Sequence, residues 1–127
     1  MPYHFSVEPK PGYLHVKVNG DSTPETLSAY LRDVHTACEK TGCPRVLIEE
    51  NLVGPSMSVA DIFQVISERA AASFPIVRTL AFVDTNPLHD QSIAKFAETV
   101  GVNRGIHGRV FAKLSDAEAW LHAMSNK

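Results

Sequence analysis

Apolar and polar residues alternate from the start of the chain. Tyr3, Phe5 and Val7 fall on one side and His4, Ser6 and Glu8 on the other, a period of two that predicts a half-buried strand. Pro9-Lys10-Pro11-Gly12 reads as a turn. Leu14, Val16 and Val18 then alternate against Tyr13, His15 and Lys17, and so short a connection makes the two segments an antiparallel hairpin. The pattern assigns His4 and His15 to the solvated side.

After Asn19-Gly20-Asp21 the period changes. Ser22 or Thr23 serves as N-cap with Pro24 in the first turn, and Leu27, Tyr30, Leu31, Val34 and Cys38 form one helical stripe that ends at Thr41-Gly42. Val46-Leu47-Ile48 is a short apolar run, as in a strand covered on both faces, and Glu49 to Met57 reads as the loop after it. Ser58 caps the next helix, with Asp61 in its first turn and Val59, Ile62, Phe63, Ile66 and Ala70 as its apolar stripe, and Phe74-Pro75 stops it. Thr79 to Val83 is a second buried strand. A third helix is expected to start at Asn86-Pro87, to face Ile93, Phe96, Ala97 and Val100 inward, and to break at Gly101 and Gly105. Arg109-Val110-Phe111 is a short last strand. Ser115-Asp116-Ala117-Glu118 has the form of a capping box before a closing stripe of Ala117, Trp120, Leu121 and Met124, with Trp120 as a core anchor.

The order ββαβαβαβα predicts an α/β fold: a mixed, mostly parallel sheet of about five strands with four main helices, and Val46–Ile48 and Leu80–Val83 at its centre. With no repeat, low-complexity tract or linker, residues 1–127 read as one domain, a length at which folding buries roughly two thirds of the extended chain's surface. The net charge of -2 carries no basic stripe, which argues against nucleic acid and against docking on an anionic membrane. No apolar run reaches the roughly 20 residues of a membrane span, and Met1 to Phe5 lack the layout of a signal peptide, so a cytoplasmic location is expected. Cys38 and Cys43 are spaced C-x4-C, unlike a redox pair, and no second pair completes a zinc site; two reduced thiols are expected.

The motifs of known mechanisms are absent. There is no phosphate loop, no dinucleotide-binding glycine fingerprint, no nucleophile elbow and no H-E-x-x-H, so no catalytic residue, cofactor or metal is assigned. What remains is place. Ligands of parallel α/β sheets bind beyond the carboxyl ends of the strands, and those ends carry Glu49, Glu50 and Asn51, then Asp84, Thr85 and Asn86, with His89 close by. Glu50, Asp84 and His89 are the candidate groups of a hydrolase-like site; the competing reading is solvated loop polars and helix caps. Leu52, Val53 and Met57 are unusually apolar for a loop. Packing on the sheet, lining a pocket and meeting a partner are all open to them. Ser56 and Ser58 precede a helix N-terminus, where backbone N–H groups favour an anion, a bound acid or a phosphoserine alike; simple capping by Ser58 is the competing reading.

These positions predict a modest pocket under the loop Leu52–Met57. Leu52, Val53 and Met57 would wall it, Glu50, Asp84 and Asn86 would sit at its rim, and Ser58's helix start would receive the acidic head of a small apolar or amphipathic ligand. A homodimer is expected through Tyr3, Phe5 and Val7 on a sheet edge, or through the loop.

Three stretches carry a family resemblance: Gly12-Tyr13-Leu14 opening the second strand, Thr23-Pro24-Glu25-Thr26-Leu27 opening the first helix, and Val46-Leu47-Ile48-Glu49. To these the closing part adds Ala97-Glu98-Thr99-Val100-Gly101-Val102-Asn103-Arg104-Gly105, Arg109-Val110-Phe111 and Ala117-Glu118-Ala119-Trp120-Leu121. Over nearly its whole length the chain resembles the SpoIIAA-like proteins, the STAS family of anti-sigma factor antagonists, and in particular their bacterial SpoIIAA-like branch. The resemblance implies a sheet crossed by helices, a fold shared with CRAL-TRIO lipid-transfer domains. It also implies a non-enzymatic binding or regulatory module with a small amphipathic ligand or a regulatory protein as partner. In the sigma-factor antagonists a serine in D-S-[ST]-G at the start of the second helix is phosphorylated by a partner kinase. Gly54-Pro55-Ser56-Met57-Ser58 stands there in this chain, without the acidic residue and without the glycine, so a phosphoswitch on Ser56 or Ser58 is the alternative rather than the leading expectation.

Overall fold

The computed structural model describes residues 3–125; Met1 and Pro2, with which the N-terminal signal reading begins, lie outside them. Five strands and four helices follow the predicted order: β1 (Tyr3–Lys10), β2 (Tyr13–Asp21), α1 (Pro24–Thr41), β3 (Arg45–Val53), α2 (Val59–Ser73), β4 (Thr79–Asp84), α3 (Gln91–Val102), β5 (His107–Phe111) and α4 (Leu114–Ser125). The strands form one sheet in the order β1-β2-β3-β4-β5. β1 and β2 are antiparallel, and every later pair is parallel.

The hairpin turns at Gly12, whose φ of 88° suits glycine. α1 begins at Thr23, which accepts a hydrogen bond from the Thr26 N–H, and ends at Gly42 in the left-handed region, its N–H on the Cys38 carbonyl at 2.9 Å. Leu27, Tyr30, Val34 and Cys38 are buried as the stripe requires.

The sheet has two unlike faces. Leu14, Val16, Val18, Val46, Ile48 and Leu52 join residues of α1 and α2 in the larger core, which α3 also covers. On the opposite face Tyr13, Leu47, Ala81 and Val83 pack against Ala117 and Leu121 of α4. That second core overturns one expectation. His15 is 6% exposed, because α4 covers the side of β2 that the hairpin pattern assigned to solvent, and its Nε2 lies 2.9 Å from Glu49 Oε1. His4 is exposed as expected.

Other differences concern boundaries. The segment Glu49–Val53, expected in a loop, continues β3: its polar side chains hide a backbone still paired with β2 through Asp21. α3 starts at Asp90, which caps it, instead of at Asn86-Pro87; Asn86 forms a side-chain-bonded turn first, its Oδ1 accepting from Leu88 N–H. α4 starts at Leu114, so Ser115 lies inside its first turn and is not the cap. Phe63, assigned inward on α2, is 48% exposed with the Arg104 guanidinium over its ring, and Val65 takes the buried place. Trp120 is half-buried against His107 and Phe111. Cys38 and Cys43 are free, and burial pushes the Cys38 thiol up to about 11. Tyr3, Phe5 and Val7 pack on the chain's own core, so of the dimer surface expected there the open backbone edge of β1 remains.

Candidate functional site

Glu50 and Asp84 occupy equivalent places on adjacent parallel strands, paired in register at the carboxyl ends of β3 and β4. Both project to the face covered by α1 to α3. Beyond Asp84, β4 has ended while β3 runs on, which leaves carbonyls of β3 without a strand partner. The β4–α3 connection supplies one for every second residue. Thr85 donates its N–H and hydroxyl to the Glu50 carbonyl at 2.8 and 3.0 Å, Asn86 Nδ2 donates to the Leu52 carbonyl at 2.7 Å, and His89 Nε2 lies 3.0 Å from the Gly54 carbonyl. Asp90 N–H adds a bond to Ser56 Oγ at 2.9 Å. The two connections are thus clasped together at the end of the sheet.

His89 is the hinge of this clasp. Its Nδ1 stands 2.7 Å from Asp84 Oδ2, so each ring nitrogen faces an acceptor. An imidazole can donate from both nitrogens only when doubly protonated. Burial works against that charge, but the bond to Asp84, the Asp84 charge, the Gly54 carbonyl and the Glu50 carboxyl outweigh it and raise the His89 pKa above its ordinary 6.5. Glu50 is 4% exposed. Burial, with the Asp84 charge adding, lifts its pKa from 4.5 to about 7, against the opposing effects of the Tyr30 hydrogen bond and His89. The Tyr30 hydroxyl, wholly buried on α1, donates to Glu50 Oε2, and burial first, then the Glu50 charge, hold its own pKa well above 10.

Ligand atoms of Glu50, Asp84 and His89 lie within 4.8 Å of one another, a spacing that suits a cation. The donor set argues otherwise. Asp84 spends Oδ1 on Asn86 N–H and Oδ2 on His89, and both nitrogens of His89 are taken. A metal would have to dissolve the clasp to enter. Both nitrogens of His89 face acceptors, and no hydroxyl nucleophile is bonded to it among the described residues.

A cavity of about 150 Å³ lies between the sheet and helices α1, α2 and α3. Its walls are mainly aliphatic and aromatic, from residues such as Ile48, Ile66, Phe82 and Ile93, with Glu50, Asp84 and His89 at one end. Ser56 and Met57 lie over that end. Of the residues expected around the pocket, Met57, Glu50 and Asp84 line it, and so does Ser56. Leu52 is instead buried in the larger core, Val53 is 67% exposed on the outside, and Asn86 bonds to the backbone. Ser58 caps α2, accepting from Asp61 N–H at 3.1 Å, and does not line the cavity. Residues that sequence reasoning missed are Tyr30, taken as core only, and Arg69, which lines the cavity from α2. The signal for Tyr30 was a hydroxyl on an otherwise apolar stripe, since a buried tyrosine needs a partner.

Among the solved structures that match is an anti-sigma factor antagonist from Mycobacterium paratuberculosis, similar over 94% of both chains with a TM-score of 0.59 at 17% identity. The fold is that of an anti-sigma factor antagonist. The likeness is one of fold, and it agrees with the α/β architecture that the sequence resemblance implied. No protein-family model and no curated protein matches the sequence. Among the described residues no helix is long and apolar enough to cross a membrane.

Proposed function

We propose that this chain is a regulatory module without catalytic activity of its own, which holds a small apolar molecule in the cavity and offers the outside of the same loop to a protein partner. The observation that carries this is the two-sidedness of the segment from the end of β3 to Met57. Met57 and Ser56 line the cavity beneath it, while Val53 stands exposed above it. Val59 and Phe63, four residues apart on one face of α2, are 50% and 48% exposed, and Leu88 on the clasping connection is 88% exposed. Large apolar side chains left exposed on a fold suit a partner surface. The fold likeness to an anti-sigma factor antagonist supports a protein as that partner.

Two observations count against the phosphoserine alternative. Ser56 Oγ already accepts from Asp90 N–H, and a phosphate there would stand beside the acidic Asp84 and Asp90. Ser58 Oγ is engaged as the α2 cap. Against the hydrolase-like reading of Glu50, Asp84 and His89, the clasp engages Asp84 and both nitrogens of His89. A cytoplasmic setting and pairing of two copies along the open edge of β1 are compatible with this reading and independent of it.

Thermal shift and native mass spectrometry against neutral and acidic apolar compounds of benzene size test the cavity. Hydrogen exchange with and without a bound compound then reads the loop. Binding with slowed exchange at residues 53–58 is expected. If no compound of either class binds, the cavity is a packing void and the ligand half of the reading falls.

A further inference from the structure

Arg69 sits on α2 with its Nε buried and without a hydrogen-bond partner. Among the described residues no carboxylate forms an ion pair with it. A buried guanidinium nitrogen in that state forfeits its water without replacement, which is costly unless something else supplies the acceptor. Arg69 also lines the cavity. Ser73, one turn further along the same face of α2, lines it too and is 7% exposed, held by His35 Nδ1 at 3.0 Å.

We propose that the cavity takes a small monocarboxylic acid with an apolar body, its carboxylate received by Arg69 at the α2 C-terminal half. This rests on the ligand reading above and names the ligand's class and direction. Three observations converge on it. Charge complementarity selects an anion at Arg69, where a planar fork of donors fits a carboxylate. The walls are mainly apolar, Glu98 and Arg109 among the exceptions, so the body of the ligand is apolar. The volume of about 150 Å³ is that of a cavity able to hold a benzene-sized molecule.

The direction differs from that expected from the helix start. Ser58 and Arg69 are eleven residues apart on α2, about 16 Å along its axis. At the Ser58 end the acid would meet Asp84, Asp90 and Glu50; at the Arg69 end it meets a cation. Glu98 is the carboxylate that lines the cavity from α3, and its Oε1 is engaged by Val110 N–H at 2.7 Å.

The test is isothermal titration of the whole chain with benzoate and hexanoate against benzyl alcohol and hexanol, at pH 7.5, on wild type, Arg69→Met and Arg69→Lys. Methionine keeps the apolar stem, and lysine keeps the charge should methionine fail to fold. Wild type is expected to bind the acids at least tenfold more tightly than the alcohols. Arg69→Met should bind both alike, and Arg69→Lys should retain a reduced preference. Equal affinity for acids and alcohols in wild type, or an acid preference that survives Arg69→Met, overturns the assignment to Arg69 while leaving an apolar ligand site. Absence of binding by all four probes overturns both.

Discussion

His89 and Asp84 are five residues apart in sequence, and their side chains meet at 2.7 Å with only 6% and 9% of their side-chain surface exposed. The carboxylate ends β4 and the imidazole ends the turn before α3, so the pair closes the turn on itself. The other ring nitrogen then reaches the Gly54 carbonyl on the preceding connection. The doubly protonated His89 therefore joins two segments.

Asp84→Asn removes the charge that sustains the second proton and leaves burial unopposed by it. The His89 pKa is expected to drop, which long-range proton–nitrogen NMR of the imidazole would follow. In the wild type the folded pKa is raised, so the clasp's contribution is complete below the ordinary 6.5 and is lost as pH climbs through the higher folded value. Amide exchange at residues 54–57 should quicken across that window in wild type and already at pH 6 in Asp84→Asn. An unmoved His89 midpoint in the variant would refute the ion-pair account.

Glu50 gives a second pH effect of the same sign. Its folded pKa of about 7 lies above the ordinary 4.5, so the native state holds the proton more tightly than the unfolded chain. Stability falls as pH rises from 4.5 to 7, by roughly 3 kcal/mol if the whole difference is realised. Glu50→Gln keeps an acceptor for the Tyr30 hydroxyl and has no charge to desolvate. Urea unfolding at pH 5 and pH 8 should show a flatter dependence for Glu50→Gln and a variant more stable than wild type at pH 8. Parallel curves for the two proteins would mean that the carboxyl ionises freely.

The elements were legible because period and punctuation agreed: the α1 stripe with its Thr23 and Gly42 ends is a case in which cap, spacing and burial all point one way. What was missed lies where pairing, not side-chain pattern, decides structure. Glu49-Glu50-Asn51 has the composition of a loop, yet pairing with β2 on one side and, on the other, with Val83 and Asp84 of β4 and then with Thr85 keeps its backbone extended. His15 alternates like a surface residue because the hairpin alone cannot reveal that α4 returns across it. Glu50, Asp84 and His89 were named from the rule that strand ends carry sites, but their mutual use of each other's donors is a three-dimensional fact. Arg69 gave no sequence signal, since an arginine on a helix is ordinarily solvated.

Ser58 separates capping from signalling. Ser58→Ala removes the acceptor for Asp61 N–H and should cost about 1 kcal/mol in chemical denaturation, whereas Ser58→Asp replaces the acceptor and should stay within a few tenths of wild type. With the ligand's carboxylate at Arg69, Ser58→Asp should also leave benzoate affinity unchanged. A large loss of affinity in Ser58→Asp would return the acid to the helix start.

Asn86 tests whether the clasp is local. Its Nδ2 satisfies the Leu52 carbonyl at 2.7 Å and its Oδ1 takes Leu88 N–H at 2.9 Å, so Asn86→Ala leaves two backbone groups without their side-chain partner. The Leu52 side chain is fully buried, so its carbonyl is the group with poorer access to water. Leaving such a group unpaired costs about 1 to 3 kcal/mol. Leu121→Ala serves as the comparison: it empties a site on the far face, where Leu121 is fully buried against β3 and β4, at a cost of about 2 to 5 kcal/mol. The two losses overlap in size but not in place. Asn86→Ala should accelerate exchange at residues 53–57 beyond what its global loss explains and speed the release of a bound acid, because Ser56 and Met57 lie over the cavity. Leu121→Ala should raise exchange through global unfolding alone and leave the release rate unchanged. If both variants open residues 53–57 to the same degree at matched stability, the segment does not move as a unit of its own, and the cavity is reached by unfolding of the larger core.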